Sequence, residues 1–453
     1  MRRIGIRRED KDPWEARVPL IPDDVARLTS SGAAEIVVQP SPRRVFTEDE
    51  YVRAGARVDE DLSACDIVVA VKEIPSELFT PGTTYAFFSH TIKGQPYNMD
   101  MLRRLVELEC QVIDYERITD ERGRRLIFFS RFAGLAGAID SLWALGRRLE
   151  WEGLTPNPFA ALEQTHAYRT LEEALAAVRD VGARIAADGL PAELCPFVIG
   201  ITGYGNASLG AQEVIDALGA VPVPPAGLDD LFAGPAQAAG AGGDASRRSV
   251  HKVVFAEQDL VARSDPSAPF ALDEYYRQPE LYEGTFERRL PQLAVLLNCV
   301  FWDTPYPRLV TKAAVRRLFA AAPGTAATPA AASPRLRVIG DVSCDIEGSV
   351  ELTVKETHID APVYVYDPDT GGIADGVQGR GPVVLAVGNL PCELSRESSA
   401  AFSAALSPFV PALAAADFSL PYDRLNLPPE LHRALILLHG DFTPDYEYMR
   451  RFV

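Results

Sequence analysis

Phe197–Gly219 reads FVIGITGYGNASLGAQEVIDALG. An apolar run, Phe197, Val198, Ile199 and Ile201, gives way to Gly203-Tyr204-Gly205, after which Ala211, Val214, Ile215 and Leu218 recur at helical spacing. The expected order is strand, glycine turn, helix. Such a turn lets the backbone approach a pyrophosphate, and the helix beyond it directs unpaired N–H groups at the anion. Ser208 stands where the third glycine of G-x-G-x-x-G belongs, and the next glycine is Gly210. On these residues alone, a dinucleotide site and a plain βα turn needing positive φ both stay open.

Outward from this stretch, 453 residues exceed the size at which one hydrophobic core stops growing, so two domains are expected. The net charge of -18, from 45 Lys and Arg against 63 Asp and Glu, argues against nucleic acid or an anionic membrane as the main partner. Small molecules are the expected partners, and a second copy of the chain is the one macromolecular partner left open. No run of eighteen apolar residues occurs, and MRRIGIRRED turns acidic before a signal-peptide core could form, so a cytoplasmic protein is expected. The six cysteines, Cys65, Cys110, Cys195, Cys299, Cys344 and Cys392, lack C-x-x-C spacing, which suggests neither disulfides nor a metal site.

Short apolar strands alternate with helical patterns along the first third of the chain. Strands are expected over 3–8, 34–39, 67–71, 84–88, 111–114 and 126–129. Helices are expected over 22–30, 46–54 and 99–108, with Pro22 and the cap Thr47 marking two starts. This alternation predicts a parallel α/β sheet. Residues 134–149 and 171–187 read as helices, the first passing from one domain to the next. Two alanine-rich inserts, near 233–248 and 320–334, lack the apolar residues to pack and are expected to be flexible. Between and after them, apolar strands are expected at 293–302, ending in Asn298, and at 337–342. A helical pattern over 391–413 could return to the first domain.

Lys72 and His90 each follow an apolar strand directly, the position at which open α/β sheets present reactive groups. A lysine whose pKa is lowered by burial can move protons, and histidine titrates near neutrality. A solvated lysine and a histidine bound to backbone would look the same at this stage. Arg17 could take a carboxylate bidentately or pair with Glu15. Asp341-Val342-Ser343-Cys344-Asp345 closes a strand, where a carboxylate can hold an amine or a ribose hydroxyl, or cap a helix. His166 and His358 read as structural.

The segment Glu15-Ala16-Arg17-Val18-Pro19-Leu20-Ile21-Pro22 resembles the family of alanine dehydrogenase, the transhydrogenase N-terminal domain and the saccharopine-forming enzymes. The segments 85–93 (YAFFSHTIK), 112–116 (VIDYE), 203–206 (GYGN), 340–345 (GDVSCD), Asn389-Leu390-Pro391 with Ser395-Arg396-Glu397, and 444–448 resemble the lysine–ketoglutarate reductase domain of the bifunctional lysine-degradation enzyme. The likeness spans essentially the whole chain apart from the two inserts, and no saccharopine-cleaving domain is expected beside it.

The resemblance implies reductive condensation of L-lysine with 2-oxoglutarate to saccharopine. In its terms Lys72 and His90 are the acid–base pair, and Arg17, Arg125 and Lys93 are carboxylate contacts. Glu73 and Glu116 match acids beside the catalytic lysine, and Asp345 matches the aspartate near the nicotinamide. Gly203, Gly205, Asn206 and Leu390 complete the implied cofactor contacts. The second strand of the dinucleotide domain reads Val221-Pro222-Val223-Pro224-Pro225, without the acid that holds a ribose diol. This is compatible with NADP, which the resemblance implies, so NADP is the expected cofactor and NAD the alternative, although no arginine for a 2′-phosphate is evident nearby.

The expected fold is α/β, two Rossmann-like domains with parallel sheets flanking a cleft, alanine dehydrogenase-like. Residues 1–135 completed by 390–453 form the expected substrate domain, and 136–389 the dinucleotide domain. Two other readings stay in play: an opine-type reductase for a different amine and keto acid, and a catalytically silent nucleotide-binding regulator.

Overall fold

The computed structural model describes residues 2–233, 244–320 and 334–453. Most of the two alanine-rich inserts lies outside the described residues. The chain divides into two compact units, Met1–Phe129 with Ser395–Val453, and Ser130–Leu394.

The first unit is built on β1 (Arg3–Ile6), β2 (Glu35–Val38), β3 (Arg57–Val58), β4 (Ile67–Val69), β5 (Thr84–Phe87) and β6 (Gln111–Asp114). These lie side by side in the order β6-β5-β4-β1-β2-β3, and every pairing is parallel. The residues of β4, β5 and β6 are buried throughout, as expected of strands covered on both faces. Beyond β6 the sheet is mixed: Leu435–Leu438 pairs antiparallel with β6, and Asp441–Phe442 continues that edge.

Local chemistry sets the helix starts. α1 (Pro22–Ser30) opens on proline with Asp23 and Asp24 in its first turn. α2 (Glu48–Arg53) starts at a capping box, in which Thr47 Oγ1 accepts from Glu50 N and the Glu50 carboxylate accepts from Thr47 N at 2.6 Å. α3 (Met99–Glu107) buries Met99, Met101, Leu102 and Leu105. From the C-terminal segment, the helix Ser395–Leu406 offers Ser399 Oγ and Ser403 Oγ to the amides of Val18 and Ile21, each at 3.0 Å. Leu126–Phe129 is not a strand. An isolated bridge between Thr119 and Arg125 precedes it, and Phe129 packs its ring on Phe402 at 4.8 Å; aromatic β-propensity yields there to packing.

The second unit begins with the helix α4 (Ser130–Glu152), followed by α5 (Leu171–Asp188). Its strands are β7 (Phe197–Thr202), β8 (Val221–Pro222), β9 (Val250–Phe255), the separate hairpin β10 (Val261–Arg263) and β11 (Tyr282–Gly284), then β12 (Val295–Asn298), β13 (Val338–Asp341), β14 (Val363–Tyr366), β15 (Ile373–Asp375) and β16 (Val383–Leu385). The sheet order is β15-β14-β16-β13-β12-β7-β9-β8. It is parallel from β16 to β8, with β14 and β15 antiparallel at the edge. β7 is the first strand in sequence, and later strands lie on both its sides. That makes the β7–β12 junction a topological switch point, where open α/β sheets bind ligands beyond the strands' carboxyl ends.

The helix α6 (Asn206–Ala217) follows β7 and crosses α4 at backbone contact. A Cβ on Gly134 would fall 1.8 Å from the Ala207 carbonyl oxygen, and one on Gly210 would fall 2.0 Å from that of Arg131. The close-packing role of a third fingerprint glycine therefore belongs to Gly210, and Ser208 is simply buried, with its Oγ accepting from Gln212 Nε2 at 3.0 Å.

Candidate functional site

In the first unit, the parallel order β6-β5-β4-β1 lines up the carboxyl ends of four neighbouring strands. The residues that follow them are Asp114 to Glu116, Ser89-His90, Val71-Lys72-Glu73 and Arg7 to Glu9. His90 sits at φ 48°, a left-handed conformation uncommon for a side chain with a Cβ. Asn98 Nδ2 fixes that turn by donating to the carbonyls of Ser89 at 3.0 Å and His90 at 3.3 Å. The imidazole Nδ1 then meets Glu73 Oε1 at 2.8 Å, and Lys11 Nζ lies 2.7 Å from the same oxygen. Burial alone would raise the Glu73 carboxyl, but the bond and charge of His90, together with Lys11, hold it far below the usual carboxylate range.

Lys72 is half-buried at the end of β4, and its amide donates to Glu9 Oε2 at 3.0 Å. Glu9 also accepts from Val71 N at 2.6 Å. Burial, then the nearby charge of Glu15, push the Glu9 carboxyl up to about 7 against these two bonds. Burial likewise pushes Asp114 up to about 6, against the Ser89 hydroxyl it accepts from. This edge thus carries a histidine on a carboxylate, a strand-end lysine, and a buried acid titrating near neutrality beneath the lysine's backbone. That set can accept and return protons.

The cationic candidates differ in reach. Arg17 closes its guanidinium fork on Glu15, Nε–Oε1 2.7 Å and Nη2–Oε2 2.6 Å, with both side chains buried and Phe129 stacked 4.2 Å from the guanidinium carbon. The bidentate edge predicted to take a substrate carboxylate is thus occupied within the chain. Arg125 pairs with Glu116 at 2.9 Å but stays half-exposed, and Lys93 is exposed.

In the second unit, the glycine turn lies at the switch point. Gly203 has φ 82°, and a Cβ there would meet the Cys299 carbonyl oxygen and the Val300 side chain, both at 3.2 Å. Its own amide donates to Phe255 O at 2.8 Å, so the anion-facing amides are those of the first turn of α6, from Asn206 onward. Gly205 and Asn206 are exposed, and nothing lies within 4 Å of a Cβ placed on Gly205. A cavity of about 400 Å³ opens beside this turn, walled by residues 203–207 on one side and Cys299–Trp302 on another, with Glu257, Tyr275 and Tyr276 between. These residues fit a nicotinamide dinucleotide: a glycine at positive φ, open space over the second glycine, helical amides and an aromatic-lined pocket.

Beneath the cavity, a polar network ties three strand ends together. Thr202 Oγ1 donates to Asn298 Oδ1 at 2.8 Å, and Asn298 Nδ2 donates to Asp341 Oδ1 and Ser349 Oγ, each at 2.8 Å. Asp341 also accepts from Ser343 and Thr353 and is fully buried, so this strand-end carboxylate braces the floor of the site and does not face a ligand. Asp345 is exposed after β13. Leu390 has its side chain in the core, where a Cβ on Gly137 would stand 3.1 Å from its Cδ1.

One expectation is corrected. The strand beside β7 is β9, and β8, at Val221–Pro222, is an exposed edge strand beyond it. β9 ends at Phe255, and Glu257 follows two residues later, so the acid missing from residues 221–225 is present in space. The signal for it was available in Val250–Phe255, VHKVVF, a strand-like run with an acid just after it. Nothing local in the sequence marks Glu9, Lys11 and Asn98 as neighbours of Lys72, Glu73 and His90.

Residues 5–136 match the alanine dehydrogenase/PNT N-terminal domain family. The chain is 35% identical to the alpha-aminoadipic semialdehyde synthase of Arabidopsis thaliana over 99% of its own length and 41% of that protein's, so it spans about two fifths of that relative. It is 24% identical to the saccharopine dehydrogenase [NAD(+), L-lysine-forming] of Yarrowia lipolytica, covering 90% of each. Among solved structures, an L-alanine dehydrogenase superposes over the full length of both chains with a TM-score of 0.60 at 17% identity, which shows the shared fold.

Proposed function

We propose that the chain is a member of the saccharopine-forming branch of the alanine dehydrogenase/transhydrogenase superfamily, on its likeness to those proteins, and that it condenses L-lysine with 2-oxoglutarate and reduces the product to saccharopine. The observation that supports this most is the His90–Glu73–Lys11 cluster at the ends of β4 and β5, in a chain that aligns over 99% of its length with a plant alpha-aminoadipic semialdehyde synthase.

The chemistry sets the roles. The ε-amine must lose a proton before it attacks the ketone, and the ketone oxygen must gain protons to leave as water. Lys72 and His90 follow adjacent parallel strands and are the groups that take and return these protons. Glu73 engages the imidazole at Nδ1, so Nε2 is the nitrogen presented to substrate. Arg125 and Lys93, both reachable from solvent, are the cations for the substrate carboxylates, while Arg17 organises Glu15 and the Phe129 loop. The bound dinucleotide, NAD(H) or NADP(H), supplies the hydride.

Purified protein given lysine, 2-oxoglutarate and a reduced nicotinamide dinucleotide should oxidise the cofactor and release saccharopine. Lys72→Met and His90→Gln should each slow turnover by about 10²–10⁴-fold, the usual contribution of a positioned acid or base. Full activity in both variants would remove the assignment. Cofactor oxidation only with another amine and keto acid would place the chain among opine-type reductases.

A further inference from the structure

The geometry points to Glu257 as the residue that binds the adenosine ribose diol and makes this chain selective for NAD(H) over NADP(H). The inference rests on the dinucleotide reading of the glycine turn given above.

Place is the first ground. β9 pairs with β7 in parallel register from Phe197↔Val250 to Thr202↔Phe255, so both strands end level with each other. The Gly203 amide bonds the Phe255 carbonyl and ties the glycine turn to the end of β9. Glu257 therefore stands across from the turn, on the wall of the cavity. In a dinucleotide domain the acid at the end of the strand beside the glycine-loop strand is the one within reach of the adenosine ribose.

The carboxylate's own contacts are the second. Tyr276 Oη donates to Glu257 Oε1 at 2.6 Å, and Tyr204 Oη approaches the same oxygen at 3.4 Å. Both bonds fall on Oε1, and Oε2 has no hydrogen-bond partner among the described residues. Two tyrosines, one from the glycine turn and one from the short helix Leu272–Arg277, thus hold one carboxylate oxygen and leave its twin for a vicinal diol.

Charge is the third. Among the described residues no Lys, Arg or His lines the cavity, and residues 234–243 and 321–333 contain none in their sequence. Arg308 touches the wall, over the Trp302 ring at 5.2 Å, but its Nε bonds the carbonyls of Glu347 and Gly348, each at 3.2 Å. A 2′-phosphate carries about −1.5 to −2 charge. Here it would displace the diol bonds and face a carboxylate without a cation in the pocket wall.

The test is equilibrium binding to the full chain, read from the fluorescence of NADH and NADPH. Calorimetry with ADP-ribose and its 2′-phosphate isolates the adenosine half. NADH should bind at least about 10-fold more tightly than NADPH, as expected where like charges are juxtaposed in a binding interface, and ADP-ribose should follow the same order. Glu257→Gln, nearly isosteric, should weaken NADH and narrow the ratio, and Glu257→Arg should invert it. Wild-type protein that binds NADPH as tightly as NADH, or a ratio unmoved by Glu257→Gln, overturns the inference while leaving the dinucleotide reading intact. Binding of neither cofactor sinks both. NADH preference without turnover of lysine and 2-oxoglutarate would sink the proposed substrates and leave Glu257's role standing.

Discussion

Replacing Gly210 with alanine sets two effects of opposite sign against each other. In a helix interior, alanine is favoured over glycine by about 1 kcal/mol, so propensity predicts a more stable α6. The crossing with α4 predicts the reverse. The new Cβ would lie 2.0 Å from the Arg131 carbonyl oxygen and 3.0 Å from the Leu135 amide nitrogen, where ordinary contacts begin near 3.4 Å. Both obstacles are backbone, so no side chain can rotate aside. The helices would have to part by more than about 1 Å, which weakens dispersion along the whole crossing. Overpacking of this kind costs about 1–3 kcal/mol and occasionally more. Against the propensity gain, we expect a net loss of about 2 kcal/mol in the second unit. Trp143, Trp151 and Trp302 belong to that unit and only Trp14 to the other, so tryptophan fluorescence during urea unfolding reports the relevant transition. Gly205→Ala is the control: its φ is -75° and its Cβ meets nothing within 4 Å. It should leave the midpoint nearly unchanged while weakening dinucleotide binding by crowding the turn. A Gly210→Ala midpoint equal to or above wild type would refute the close-approach argument.

Other outcomes follow from the ionisable groups. Glu9 and Glu393 are raised to about 7 and Asp114 to about 6. An acid with a raised native pKa binds more protons folded than unfolded between its two pKa values, so stability should fall as pH rises from about 4.3 to about 7 and then level off. For Glu9 that loss is at most about 4 kcal/mol; Glu9→Gln, which stays neutral, should melt close to wild type near pH 4 and the two should separate as pH rises toward 7, and parallel curves would discount the shift. Glu73→Gln should lower stability at neutral pH by about 2 kcal/mol, the worth of a charge-assisted buried bond, and should reduce turnover by loosening His90. The Glu73 contribution is present above its unfolded pKa and is lost as pH falls toward the depressed native value, so the variant and wild type should converge in acid. Asp341→Asn should destabilise by about 1–3 kcal/mol, because one of the donors from Asn298, Ser343 or Thr353 would face an amide N–H₂; an unchanged urea midpoint would show the network to be dispensable.

Much of this molecule could be read from its residues in order. Thr47 announced a helix cap, Pro22 announced the start of α1, and Phe197–Gly219 announced strand, turn and helix, because caps, turns and periodicity are settled within a few residues of chain. The placement of Lys72 and His90 after apolar strands was equally local. What lay beside what was not. Val221–Pro222 comes next after α6 in the chain, yet β9 is the strand that pairs with β7, and with it Glu257 enters the pocket wall. For Arg17 a ligand carboxylate and Glu15 were equal possibilities in the sequence, and the fold pairs it with Glu15. Leu126–Phe129 has the composition of a strand and serves as packing for Phe402 and Arg17. In each case the deciding interaction joins residues far apart in sequence or depends on which partner desolvates the group. The lateral order of strands and the pairing of buried charges are set by the shared core, and only the folded chain contains that.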